Sequence, residues 1–118
     1  MMSPWKVIQE LEADNSRLKK ESIVKRESDA ENIRFFNGIG AALDGFRTFG
    51  VQKVPTSTKD GAGLSQDIFD LVVKQLEERT LTGNDMRDRI DELCAMATKE
   101  EWNDWYRRIL IKDLRCGM

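Results

Sequence analysis

The stretch SQDIFDLVVKQL, residues 65–76, carries apolar side chains at Ile68, Phe69, Val72, Val73 and Leu76. That 3–4 spacing lays one continuous stripe on an α-helix and cannot be produced by an alternating strand. Ser65, just ahead of the stripe, can accept hydrogen bonds from the orphan amides of the first turn, so the segment has a start signal as well as a buried face. Downstream, Leu81-Thr82-Gly83-Asn84 reads as a turn into the next helix, with Asn84 as its cap and Met86, Ile90, Leu93, Cys94 and Ala97 facing inward. Thr98-Lys99-Glu100-Glu101 is a capping box opening a further helix through Trp102, Trp105, Tyr106, Ile109 and Leu110, and Cys116-Gly117 looks like its stop.

Upstream the same signals recur. Ser3-Pro4 starts a first helix with Trp5, Ile8 and Leu11 on one stripe. A second, from about Asn15-Ser16 to Ser28, turns Leu18, Ile23 and Val24 towards the core and Lys19, Lys20, Lys25 and Arg26 outward. Ser28-Asp29-Ala30-Glu31 reads as a capping box for a third, continued by Ile33, Phe36, Ile39, Gly40 and Leu43. Gly38 and Gly40 weaken that helix and read as a close approach by a neighbour, since nothing after them makes a nucleotide loop. Gly45 to Gly63 is the least helical part, with Phe46, Phe49, Val51 and Val54 suggesting a short extended piece and residues 55–61 a flexible loop. The predicted fold is all-α: a compact single-domain bundle of about six short helices with one long irregular connector.

Several functional classes are excluded or disfavoured. The 118 residues, 40% hydrophobic and 34% charged, suit one globular core. No apolar run approaches the ~20 residues of a membrane span, and no secretory signal opens the chain, so a cytoplasmic protein, in a bacterial or host cell, is expected. With two cysteines and no histidine there are too few ligands for a zinc site or a disulfide framework. Cys94 reads as a small buried hydrophobe. There is no phosphate-binding loop, dinucleotide fingerprint, nucleophile elbow or histidine-based triad, so no enzyme is expected from this chain alone and no cofactor or metal within it. Carboxylates at Asp67 and Asp70, or at Asp88, Asp91 and Glu92, read as an exposed helix face rather than a cation site. Trp102, Trp105 and Tyr106 read as packing rather than a stacking platform for bases.

Net charge is only −2, but the distribution is uneven. Residues 47–59 carry Arg47, Lys53 and Lys59 with no acid, and residues 106–118 carry Arg107, Arg108, Lys112 and Arg115 against Asp113 alone. Two segments combine a helix end, a glycine and a base: Arg79-Thr80-Leu81-Thr82-Gly83-Asn84 and Lys112-Asp113-Leu114-Arg115-Cys116-Gly117. A glycine lets backbone approach a ligand, and free amides at a helix start can donate to phosphate.

These two segments, in this order, resemble the N-terminal domain of phage-type ATP-dependent DNA ligases: RTLTGNDMRDRIDEL followed by WYRRILIKDLRCG, with Lys112 where some relatives have Arg. Leu18 to Pro55 matches only in helix order and in a basic, aromatic stretch. The resemblance implies a non-catalytic domain, the N-terminal part of a longer ligase, that binds nicked duplex DNA through phosphates across the minor groove, independently of sequence, in replication and repair. Catalysis, with ATP and Mg²⁺, would belong to covalently linked domains. Their Lys-x-Asp-Gly motif is absent; Lys59-Asp60-Gly61 lacks the intervening residue and reads as a turn. Carried over from the resemblance are Thr82, Gly83 and Asn84 at one helix start, and Arg115 with Gly117 at the other site. Arg79, Arg47, Lys53 and Lys112 are added as DNA-binding candidates from charge. The competing reading is a helical protein–protein interaction adaptor.

Overall fold

The computed structural model describes residues 2–116, all of the chain but Met1, Gly117 and Met118. Helices α1 (Pro4–Ala13), α2 (Arg17–Asp29), α3 (Ile33–Leu43), α4 (Gln66–Glu77) and α5 (Gly83–Met96) are followed by one last helix in three parts. These are α6 (Lys99–Glu101), a π turn (Trp102–Tyr106) and α7 (Arg107–Leu110). No strand occurs among the described residues, so the all-α expectation holds. The extended piece expected around Phe46–Val54 is irregular chain instead.

The last helix is the axis of the core. Trp102, Trp105 and Tyr106 are completely buried, as packing, and the helix contacts α1 and α3. An added Cβ on Gly38 would lie 2.2 Å from Trp105 Cζ2, so α3 approaches the indole only because residue 38 has no side chain. Gly40 has open space beside it and needs no such explanation. The capping box at Thr98 is present as read: its hydroxyl accepts from the Glu101 amide at 3.3 Å and the Glu101 carboxylate accepts from the Thr98 amide at 2.9 Å.

Three sequence expectations are corrected by packing. Helix α2 runs through Ser28 to Asp29, and Asn32 rather than Ser28 caps α3, accepting from the Phe35 amide at 3.4 Å. Glu31, the expected end of a capping box, takes a left-handed φ of 54° in the turn between the helices. Asn32 is fixed there because its amide also donates to Glu27 and to the Met2 carbonyl. Burial disfavours the charged Glu27 carboxylate, but hydrogen bonds from Asn32 and Arg26 outweigh it and hold the pKa below its ordinary value. Leu18, assigned inward, is exposed, as are Ile33 and Leu43 of α3.

The connector between α3 and α4 was expected to be flexible over residues 55–61, and it is tied down. Trp102 Nε1 donates to the Pro55 carbonyl at 2.8 Å, Asn103 exchanges two bonds with the Ser57 backbone, and Tyr106 donates to the Leu64 carbonyl at 2.8 Å. Gly61 and Gly63 donate to the carbonyls of Ala97 and Met96. The buried helix thus satisfies the backbone groups that an irregular segment leaves without a ladder. Burial pushes the Tyr106 phenol up to about 12, although Arg34 beside it favours the charged form.

Candidate nucleic-acid interface

Thr82, not Asn84, stands at the N-cap position of α5, with an extended backbone. The Thr82 side chain makes no capping bond, so the first amides of α5 lack a side-chain acceptor from the cap. Gly83 has φ 61°, with nothing within 4 Å of an added Cβ. Asn84 accepts from Arg87 at 3.4 Å, and Asp85 is the acid of the first turn. The helix start is open at its glycine, as the sequence suggested.

Behind it lies an open groove of about 1060 Å³. Val54, Met86, Ile90 and Ile111 contribute apolar lining; Lys53, Arg87 and Arg107 bring positive charge, against Asp91. Arg107 donates to the Val54 carbonyl at 3.1 Å, which sets its guanidinium against the connector. None of the three cations is ion-paired among the described residues. Arg79 closes one end: it donates to Thr48 at 2.9 Å, and its guanidinium lies across Gly50, where a Cβ would stand 1.7 Å from Nη1. Gly50 is required twice over, by that contact and by its φ of 69°.

The structure therefore gathers Lys53, Arg79, Thr82, Gly83 and Asn84 around the groove and the start of α5. Sequence reading missed Arg87 and did not select Arg107, whose convergence on Lys53 exists only in three dimensions. A weak signal for Arg87 was its place one residue after the inward Met86, at the edge of the buried stripe.

Other candidates do different work. Lys112, expected at a phosphate, donates to three backbone carbonyls, Ala41 at 2.9 Å and Asp44 and Arg47 at 2.7 Å, and sits 5.2 Å from the Phe49 ring centroid. Its ammonium has no further proton to give. Arg47 is paired with Glu77 at 2.7 Å. Arg108 is buried against Glu12, Asp104 and the Leu114 carbonyl. Arg115 is exposed and contacts Asp113 of its own turn, while the adjacent Cys116 carbonyl accepts from Lys20 of α2, so the second motif is not part of the groove lining. Gly117 lies outside the described residues.

Nothing here resembles a nucleophile or metal centre. Burial pushes the Cys94 thiol up, away from the reactive thiolate. Among the described residues no group of three acidic or cysteine side chains could hold a metal ion. No helix among them is long and apolar enough to cross a membrane.

No family model matches the chain. Two solved structures named Pmar-Lig_Pre and Pmar-Lig_PreS3 match all of it at a TM-score of 0.97, with 40% and 41% identity. This chain spans 28% of each of those chains. A cysteine–tRNA ligase of Halobacterium salinarum is 32% identical over 91 residues, covering 69% of this chain and 18% of that protein. The structural matches support a ligase-associated domain.

Proposed function

We propose that this chain is a duplex-DNA-binding domain that positions nicked DNA for an ATP-dependent DNA ligase of the phage type, the catalytic domains being covalently linked in a longer protein. The observation that carries the DNA reading is the groove itself: a chain of net charge −2 collects Lys53, Arg87 and Arg107, none ion-paired among the described residues, beside a helix start without a side-chain cap. The likeness over the whole chain to Pmar-Lig supports attachment to a ligase.

Phosphate oxygens would accept from these cations and from the α5 amides, with Gly83 allowing the backbone to approach. Such contacts read no sequence, and specificity for a nick would come from shape and from the linked domains. ATP and Mg²⁺ are the business of those domains. Lys112 acts indirectly, by fixing the turn before the groove.

Fluorescence-anisotropy titration against nicked and intact duplex at increasing salt tests this reading. Log affinity is expected to fall linearly with log salt, with a slope of about −0.9 per phosphate contacted, and Arg87→Ala should reduce that slope by about one unit. Arg115→Glu should weaken binding if the second motif shares the duplex. Absence of binding to either duplex at the lowest salt defeats the proposal and leaves the protein-interaction adaptor.

A further inference from the structure

Phe46 is 99% exposed, whereas Phe49, three residues on, is 3% exposed. A solvated ring is not unusual by itself, but this one is presented by a turn in which every element is fixed. Its own amide donates to Asp44 Oδ1 at 2.9 Å, and the Arg47 amide donates to the Asp44 carbonyl at 3.1 Å. The Lys112 ammonium joins the carbonyls of Ala41, Asp44 and Arg47 on both sides of the ring, and the Arg47 side chain is pinned to Glu77. The backbone that carries the ring is thus already ordered, so covering the ring costs only its own rotamer freedom.

The surroundings say what covers it. Two residues on, Thr48 holds Arg79 over Gly50 at the end of the cationic groove. The neighbouring acids are engaged, Asp44 with the Phe46 amide and Glu77 with Arg47. Half-exposed Leu43 is the other exposed large apolar side chain close by in sequence. One projecting aromatic ring, two residues along the chain from the threonine that holds Arg79 at the end of a cationic groove, is complementary to a polyanion with an apolar interior. Duplex DNA has that character: phosphates outside, deoxyribose faces and base edges within the minor groove.

We infer that Phe46 is an apolar probe that seats in the minor groove of the duplex while Lys53, Arg87 and Arg107 hold its phosphates. The inference rests on the duplex-binding reading above and adds to it a contact that releases no counterions. Affinity from the ring is therefore independent of salt, unlike affinity from the cations.

The 118-residue chain, Phe46→Ala and Phe46→Trp are titrated with intact duplex over a range of salt concentrations, with thermal unfolding measured in parallel. Phe46→Ala is expected to bind about tenfold more weakly, with the log–log slope and melting temperature unchanged. Phe46→Trp should bind like the parent, with its indole emission shifting to shorter wavelength as the ring leaves water. Equal affinity of the alanine variant and a binding parent overturns the inference and leaves the duplex reading standing. So does a loss of affinity accompanied by a shallower slope. A parent that binds no duplex overturns both.

Discussion

Two surfaces of this domain are rich in cations, and they are not alike. Helix α2 carries Arg17, Lys19, Lys20, Lys25 and Arg26, more positive charge than any other helix, yet Arg17 is paired with Glu21, Lys25 with Asp29, and Arg26 with Glu10 and Glu27. Lys20 is spent on the Cys116 carbonyl. The groove has fewer cations, none of them ion-paired among the described residues, and a single acid in its lining. A phosphate approaching α2 must displace carboxylates already at hydrogen-bonding distance, whereas one approaching the groove displaces water and counterions. The number of lysines and arginines therefore says little about a binding surface until the acids opposite them are known.

The contrast can be broken by moving charge on each side. Lys53→Glu with Arg87→Glu should cost duplex affinity on the order of a hundredfold at low salt, while Lys19→Glu with Lys25→Glu should change it less than threefold, both read by anisotropy. Next in size is the removal of the tie between the groove and the turn that leads into it. Lys112→Met forfeits charge-assisted bonds to three carbonyls and should destabilise the domain by about 2 kcal/mol in denaturant unfolding, with a smaller effect on the salt slope than Arg87→Ala.

Acid then distinguishes the α2 side from the groove. Because the Glu27 pKa is lowered on folding, its stabilisation is present above about pH 4.5, its ordinary value, and is lost as pH falls through the lower, folded value. Glu27→Gln should flatten the acid limb of the stability curve and leave duplex binding at neutral pH intact; a limb unchanged by the substitution would show that Glu27 does not set it. The smallest effect belongs to an exposed pair: Lys25→Ala, removing the bridge to Asp29, should alter unfolding free energy by no more than about 0.5 kcal/mol.

Much of the architecture was legible because it is encoded locally. Ser16, Ser65 and the Thr98–Glu101 box mark helix starts through hydrogen bonds within one turn, and Pro4 stands in the first turn of α1 although Ser3 before it makes no side-chain cap bond. What the sequence hid depends on distant partners. Asn32 outcompetes the Ser28 box because Glu27 and the Met2 carbonyl satisfy its side-chain amide. The connector is ordered because Trp102, Asn103 and Tyr106 reach back to it across some forty residues of chain. The π turn escapes a helical reading because Trp102, Trp105, Tyr106 and Ile109 keep helical spacing through it.

The candidate site divides along the same line. Lys53, Arg79 and the Thr82–Asn84 turn could be picked out by charge and turn chemistry. Arg87 and Arg107 become partners of Lys53 only after α5 and α7 pack beside the connector, and Lys112 looked like one more surface base until three carbonyls were found around its ammonium.

The last helix and Lys112 supply the contacts that hold the connector, and in synthesis from the N-terminus they leave the ribosome after it. Until Trp102, Asn103 and Tyr106 emerge, residues 45–64 have no donor for the Pro55, Ser57 and Leu64 carbonyls, and Phe35, Phe49 and Phe69 lack much of their cover. Closure then comes as one late event, and until it comes the emerging polypeptide is fit for capture by a chaperone or for cutting by a protease.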